Sequence, residues 1–403
     1  MFSFSNQEST SLPDITADLN QQFSIDISKE GLHKRFSKEG VNFLKEVVKH
    51  QLLNQFSVGS NLQLEQHFAA INIKDSSKFS LPDIYHKDYP GFGNFSKTNG
   101  LMNLQYEYDL VSGHWRTLEL TTIKRNDQQD SKQTIDSIKA GELYIRDLGY
   151  VTPIYLKAII ERGASFLNRI PPQVKIYTSD KKPITWKMIN RKFSMMGSTT
   201  LDMNVLIYER DLIECRLVME RVPDMEYRKR LKNAEGSAKK HGVGLSEEHK
   251  IRCRYNTFIT NVSSAILPIE KIRKTYYLRW QIELVFKTWK STFGIHKIKK
   301  MKTERMECQL LAKLLWVLLN WRLFQSCNHY LYEQTNEKGI SVLKFFKRCL
   351  SFSNTLRLVV LKQLRVSKWL EEIFIPLIDN TVCEAPVGKR THYQNLYSIV
   401  SLS

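Results

Sequence analysis

The chain contains 403 residues, of which 42% are hydrophobic and 11% aromatic, so it is neither disordered nor collagen-like and is long enough for more than one domain. Its 60 Lys and Arg exceed its 41 Asp and Glu, which gives a formal net charge of +19. An excess of this size favours a polyanionic partner, because every neutralised phosphate releases condensed counterions.

The apolar segments argue against a membrane, although a membrane surface also attracts positive charge. The most hydrophobic stretch, residues 310–321, contains Lys313 and Asn320 and is shorter than the roughly 20 residues that a membrane span needs. It predicts a buried core helix. The first residues lack the pattern of a secretory signal, and the cysteines and histidines are scattered. We therefore expect a cytoplasmic protein without a zinc site.

Two short helices are predicted near the N-terminus. The first covers residues 28–36, and Ser37 can cap the second, in which apolar residues recur at three- and four-residue spacing: Val41, Leu44, Val48 and Leu52. Both helices are rich in Lys and Arg, which permits a helix-turn-helix interpretation. A small helical bundle with a solvated basic face fits the same pattern equally well.

Strands and helices alternate in the next part of the chain. In order, the pattern predicts strands at 69–75, 101–110 and 114–124, a helix at 131–139, a strand at 142–147, a helix at 153–162 and a strand at 165–170. The second and third strands flank a short turn ending in Gly113, which makes them a hairpin. This order is typical of a mixed α/β layer in which a meander is followed by a crossover.

From residue 171 to residue 262 the pattern changes to short β-rich runs, which predict an all-β insertion with a mobile basic tip at 226–242. Trp186 in this insertion is a candidate for stacking on an unpaired base, but a tryptophan is more often a core residue. From Pro268 onward the pattern is helical as far as the tail.

Two aspartates, Asp75 and Asp147, each end a predicted strand and precede small or turn-forming residues. An acidic side chain at such a position is costly unless it binds a cation or hydrogen-bond donors, and open sheets place their sites at strand ends. The two residues are therefore candidates for cation binding. The alternative, that each carboxylate only caps a turn, remains open for either residue taken alone.

The segment 276–290 is more specific. On one continuous helix, five polar residues would share one side, namely Tyr276, Arg279, Glu283, Lys287 and Lys290, and the opposite side would be apolar. A carboxylate surrounded by cations suits a metal-and-phosphate site, because the acid completes the oxygen shell and the bases hold the phosphate backbone. An exposed lattice of i,i+4 charge pairs around Glu283 has the same pattern.

The spacing Tyr276-x2-Arg279-x3-Glu283-x6-Lys290 resembles the Y-R-E-K signature of bacterial insertion-sequence transposases, the IS-four family of the DDE superfamily. Residues 73–82 resemble the family's first-Asp motif, residues 106–113 its hairpin, and residues 145–150 with 157–169 its second-Asp block. The resemblance extends over residues 25 to 330 in the family's order.

The resemblance implies an α/β fold with a ribonuclease H-like catalytic core and a β-rich insertion, plus N- and C-terminal helical regions. The implied segments are an N-terminal helical DNA-binding region at 1–68, the first part of the core at 69–170, the insertion at 171–262, the last part of the core with the Glu-bearing helix at 263–335 and a C-terminal helical region at 336–403. Members of the family usually have a longer N-terminal region, so we expect the end-recognition element to be shortened.

The resemblance also implies the site. Asp75, Asp147 and Glu283 would form the catalytic DDE triad and hold two Mg²⁺ ions, with Mn²⁺ as a substitute. Such ions deprotonate a water or a 3′-hydroxyl on one side of the phosphate and stabilise the leaving oxygen on the other. Tyr276, Arg279 and Lys290 would contact the transposon end. Nearly half of the net charge lies in residues 271–305, so DNA contacts are also predicted for four lysines: Lys287, Lys297, Lys299 and Lys300.

The function implied is that of a transposase that cuts at the inverted ends of its own insertion sequence and joins them to target DNA by cut-and-paste movement. It would act on double-stranded DNA as a homodimer, in the bacterial cytoplasm at the nucleoid. The alternative is a catalytically silent DNA-binding relative, or a shortened transposase that represses transposition. The intact triad spacing favours the enzyme, and the short N-terminus favours the alternative. A structure-selective nuclease of the same fold would leave the Tyr-Arg-Glu-Lys spacing unexplained.

Overall fold

The computed structural model describes residues 11–53, 66–91, 100–335 and 340–376. The chain begins with helices α1 (Leu12–Phe23), α2 (Lys29–Arg35) and α3 (Lys38–Leu53). Next come β1 (Ala70–Leu81), β2 (Gly100–Asp109), β3 (Trp115–Thr122), α4 (Asp127–Gln133), β4 (Glu142–Arg146), α5 (Pro153–Glu161) and β5 (Ser165–Arg169). The middle contains β6 (Ile176–Tyr177), β7 (Pro183–Ile184), α6 (Trp186–Met196), β8 (Thr200–Ile207), β9 (Ile213–Arg221), α7 (Asp224–Lys240), α8 (Glu247–Arg252) and β10 (Tyr255–Thr260). The last helices are α9 (Ile269–Tyr277), α10 (Trp280–Phe293), α11 (Thr303–Thr335), α12 (Val342–Ser351), α13 (Ser353–Val360) and α14 (Val366–Trp369).

The chain divides into two compact units. The first consists of Met1–Gln63, Ser76–Lys124 and Trp280–Ser403, and the second of Leu64–Asp75 and Arg125–Arg279. The chain passes from one unit to the other four times: before β1, within β1, between β3 and α4, and between α9 and α10. This division differs from the five segments implied by the sequence, whose bounds stay a prediction.

The second unit is built on a mixed sheet in the order β1-β4-β5-β10-β9-β8-β6-β7. β4 pairs in parallel with both β1 and β5, and the remaining pairs are antiparallel. All five residues of β4 are buried, as expected of a strand inside a parallel layer. The crossover helix α5 begins at Pro153, where the hydroxyl of Thr152 accepts a hydrogen bond from the N–H of Tyr155, and it ends just before Gly163, whose φ of +67° suits a helix stop. The mixed α/β class predicted from the sequence is confirmed.

The segment predicted to be an all-β insertion is mixed. Its strands β6 to β9 extend the same sheet through β10, but it also contains α6, α7 and α8. α6 forms because Thr185 caps it and because one side buries three residues at helical spacing: Trp186, Ile189 and Phe193. Trp186 is a core residue, and the Arg252 guanidinium lies 5.3 Å from its ring centroid. It is therefore not an open platform for a base.

The first unit combines the β2–β3 hairpin with helices. Trp289 on α10 packs on this hairpin, with its ring centroid 5.3 Å from those of both Tyr106 and Trp115. Such aromatic contacts fix which side of α10 is buried. α11 packs against α3, and its residues 310–321 are largely buried, which confirms the predicted core helix. None of the described helices is both long and apolar enough to cross a membrane.

Candidate active site

The two aspartates follow matching segments of two parallel strands. Residues Ala70–Lys74 of β1 pair with Glu142–Arg146 of β4, so that Lys74 lies opposite Arg146. Asp75 and Asp147 are the next residues on each chain segment, and they leave the paired region side by side. The structure thus brings together the two carboxylates that the sequence placed at strand ends.

One detail of this prediction is wrong, because β1 does not end at Asp75 but continues to Leu81. β1 also has β2 as a neighbour in the sheet, so it stays extended after its pairing with β4 has ended. Asp147 does leave its strand, and it precedes a short 3₁₀ helix at Leu148–Tyr150. What the two residues share is therefore the end of the parallel pairing.

Both carboxylates face the guanidinium of Arg279. Its Nη1 donates to Oδ2 of Asp75 at 2.7 Å, and its Nη2 lies 3.7 Å from Oδ1 of Asp147. The exposed fractions of the side chains are 12% for Arg279, 16% for Asp75 and 42% for Asp147. Because screening by water is weaker at such half-buried positions, this pairing is stronger than that of a fully exposed ion pair.

The prediction of a single continuous helix at 276–290 is wrong. The helix is interrupted at Arg279, and this break places the Arg279 side chain beside the two aspartates. α9 ends at Tyr277 and α10 begins at Trp280. In the turn between them, the N–H groups of Leu278 and Arg279 donate to carbonyls three residues back, as in a 3₁₀ turn. Tyr276 therefore belongs to α9, Arg279 to the turn, and the remainder of the motif to α10.

Tyr276 is buried, with its ring centroid 5.3 Å from that of Phe258 and 5.9 Å from the guanidinium carbon of Arg279. Burial raises the pKa of Tyr276 to about 12, with a smaller raising effect from Asp147 and opposing effects from Arg279 and Arg169. The hydroxyl therefore stays protonated at neutral pH, and Tyr276 can donate a hydrogen bond but cannot serve as a phenolate nucleophile.

Behind the aspartates lie two buried cations that the sequence analysis missed. Lys74 Nζ is 2.5 Å from Asp130 Oδ2, and both side chains are fully buried; Arg125 contacts the other oxygen of Asp130 at 2.9 Å. The Arg146 guanidinium lies within 6 Å of three tyrosine rings, at 5.5, 5.8 and 5.5 Å from Tyr144, Tyr150 and Tyr155. In the sequence each of these basic residues immediately precedes one of the aspartates, but nothing in that local pattern indicates that it is buried.

We expect Lys74→Met to lower the free energy of unfolding by about 3 kcal/mol. The substitution leaves Asp130 buried with one fewer cation, and the remaining contact with Arg125 keeps the loss at the lower end of the range for broken buried pairs. Urea denaturation measures this loss.

The matched control is Lys175→Met, because Lys175 forms an equally direct but exposed pair with Glu209 at 2.7 Å. It should change the stability by no more than about 1 kcal/mol. Equal effects of the two substitutions would show that the buried pair contributes no more than a surface pair.

Glu283 lies in the other unit, in the first turn of α10, with its side chain exposed like that of Lys287. The opposite side of α10 is buried through Ile282, Val285 and Trp289, which confirms the two predicted faces for this helix. Lys290 is half-buried, its Nζ donates to the carbonyl of Lys78 at 3.3 Å, and burial lowers its pKa.

The remaining candidate lysines lie between α10 and α11. Lys297, Lys299 and Lys300 are exposed there, and Lys300 forms an exposed ion pair with Asp83 at 2.7 Å. The hydroxyl of Tyr85 donates to the carbonyl of Lys299, which ties this connection to the first unit's core. Exposed ion pairs are weak, so Lys300 can exchange Asp83 for a phosphate at little cost.

A divalent cation suits the two aspartates. They already converge on one positive group, and carboxylate oxygens are the hard ligands that Mg²⁺ prefers. Within the described ranges, no group of three or more His, Cys, Asp or Glu side chains is arranged to hold a metal ion. The full triad therefore stays a prediction.

Comparison with known proteins agrees with this geometry. Residues 66–319 match the family model of the Transposase DDE domain. The chain is 33% identical over 313 residues to the transposase for insertion sequence element IS231F of Bacillus thuringiensis subsp. israelensis, across 73% of this chain and 65% of that protein. It is 28% identical over 380 residues to the transposase for IS1151 of Clostridium perfringens, across 90% of this chain and 80% of that protein. A third relative, the transposase for IS231E of Bacillus thuringiensis subsp. finitimus, is 31% identical over 328 residues.

The match over residues 66–319 identifies a protein of the DDE class. The chain belongs to the DDE transposase family, as its resemblance to insertion-sequence transposases predicted. It spans just under two thirds of the length of the IS231F relative.

Proposed function

We propose that the protein is a DNA transposase that cuts at the inverted ends of its own insertion sequence and joins the freed ends to target DNA by cut-and-paste movement. The observation that carries the proposal is the convergence of Asp75 and Asp147 on one cationic group at the end of the β1–β4 pairing, in a chain that matches the Transposase DDE domain.

In this proposal Asp75, Asp147 and Glu283 hold two Mg²⁺ ions, for which Mn²⁺ can substitute. When bound, the ions supply activation of the attacking oxygen and stabilisation of the leaving one. Tyr276 donates a hydrogen bond from its protonated hydroxyl to the transposon end. Arg279 and Lys290 bind phosphates of that end. The exposed lysines at 287, 297, 299 and 300 attract the DNA backbone.

The catalytic core is proposed to be ribonuclease H-like, with an insertion before the Glu-bearing helix. This is supported by the hairpin β2–β3 beside β1 and by the parallel pairing of β1 with β4 and of β4 with β5. Two transposon ends must be processed together on double-stranded DNA, which favours a homodimer. The site of action would be the bacterial nucleoid, in the cytoplasm.

Incubation of the protein with a duplex that carries the inverted repeat flanking its reading frame tests the function. Mg²⁺ and Mn²⁺ should support strand cleavage, whereas Ca²⁺, which is larger and looser in its coordination, should permit DNA binding without efficient cleavage. Full cleavage in the presence of a chelator would contradict the proposal. Specific binding without cleavage in Mg²⁺ or Mn²⁺ would instead identify a catalytically silent repressor.

A further inference from the structure

The position of Arg279 raises a question of charge. Its guanidinium contacts the same two carboxylates that are proposed to hold a divalent cation. A cation bound by those oxygens would meet a like charge in contact with them, and the repulsion opposes joint occupancy. Binding of the cation therefore favours a different position for the Arg279 side chain.

Two features suit Arg279 to such a change. The first is its position in the turn between α9 and α10, outside both helices. A guanidinium also matches carboxylate and phosphate geometry equally well, because its planar fork donates two parallel hydrogen bonds to either group.

We propose that Arg279 is a positioning residue that exchanges one anion for another. Before the cation arrives, its single positive charge offsets part of the charge of Asp75 and Asp147 and keeps their mutually repelling carboxylates together. When a divalent cation binds them, the guanidinium is released to a DNA phosphate. The inference rests on the proposed function, and it adds that cation binding and DNA binding strengthen each other through this one side chain.

Thermodynamic linkage makes the exchange measurable without catalysis. If the cation strengthens DNA binding by some factor, DNA must strengthen cation binding by the same factor. One additional phosphate contact also steepens the plot of log K against log salt concentration by about one unit. Both effects should depend on Arg279.

The experiment measures Ca²⁺ binding to the full chain by calorimetry and binding of the end-bearing duplex at several salt concentrations, with and without Ca²⁺. In the wild-type protein, Ca²⁺ should strengthen DNA binding and steepen the salt dependence by about one unit. Arg279→Gln should bind Ca²⁺ roughly tenfold more tightly in the absence of DNA, because its competitor is gone, and should lose the steepening. Arg279→Lys, which keeps the charge, should retain part of the coupling.

Arg162→Gln is the matched control, since Arg162 pairs with the exposed Asp136 at 2.8 Å elsewhere in the same unit. It should leave both measurements unchanged. Weaker Ca²⁺ binding by Arg279→Gln than by the wild type would overturn the exchange, and so would an unchanged effect of Ca²⁺ on the salt dependence of DNA binding in that variant. If Arg279→Gln fails to fold, Arg279→Ala takes its place. Coupling between Ca²⁺ and DNA binding as strong as in the wild type would then overturn the exchange.

Failure of the proposed function looks different. Either the wild-type protein would bind no Ca²⁺, or Asp75→Asn and Asp147→Asn would bind Ca²⁺ as well as the wild type. In both cases the proposed exchange would be refuted as well. Ca²⁺ binding that requires both aspartates, combined with coupling that ignores Arg279, would remove only the exchange.

Discussion

Single-turnover cleavage of an end-bearing duplex should fall about a thousandfold in Asp75→Asn and in Asp147→Asn, which corresponds to about 4 kcal/mol of transition-state stabilisation. Each substitution removes an anionic oxygen ligand and keeps the size of the side chain. Binding to the duplex should survive, because neither carboxylate can attract a phosphate.

The matched control is Asp211→Asn. Asp211 is a partly exposed aspartate of the same unit and pairs with Lys157 at 2.7 Å. The substitution removes the same charge, but at a position away from the end of the β1–β4 pairing. Its cleavage rate should stay near that of the wild type. Near wild-type nicking by Asp75→Asn or Asp147→Asn would remove that residue from the proposed triad.

The sequence predicted the elements around these aspartates because local signals mark where those elements begin and end. The predicted strand at 142–147 and helix at 153–162 match β4 and α5 to within one residue at each end. Three consecutive apolar residues, 143–145, mark the strand, and a proline marks the helix start. The placement of Asp75 and Asp147 beside each other follows from the parallel register, whereas the sequence indicated only that each aspartate ends a strand.

The contacts of the basic residues could not be predicted in the same way. Lysine and arginine are rarely fully buried, so nothing local predicts that Lys74 and Arg146 have exposed fractions of only 0% and 1%. Their burial depends on Asp130 and on tyrosines that are distant in sequence or on other elements. The break at Arg279 was missed because no glycine or proline marks it and the apolar spacing of Leu278 and Ile282 continues through it.

Glu283, the acidic residue of the Tyr-Arg-Glu-Lys motif, should be needed for DNA cleavage but not for DNA binding. Glu283→Gln is expected to lower single-turnover cleavage about a thousandfold and to leave affinity for the duplex and its salt dependence unchanged. Glu283 is exposed in the first turn of α10, on the side opposite the buried Ile282 and Trp289, so the substitution should not disturb packing. Glu304→Gln is the matched control, because Glu304 occupies the first turn of α11. It should retain cleavage.

Lys290→Ala should show the opposite pattern. The loss of one phosphate contact weakens DNA binding and reduces the slope of log K against log salt concentration by about one unit. Its cleavage rate at saturating DNA should fall less than that of Glu283→Gln. If Glu283 were only a member of an exposed charge lattice, its neutralisation would cost about 0.3–0.5 kcal/mol of stability and leave cleavage intact. Binding at several salt concentrations beside single-turnover cleavage distinguishes the two cases, and unchanged cleavage in Glu283→Gln would assign the motif's carboxylate to the solvated surface.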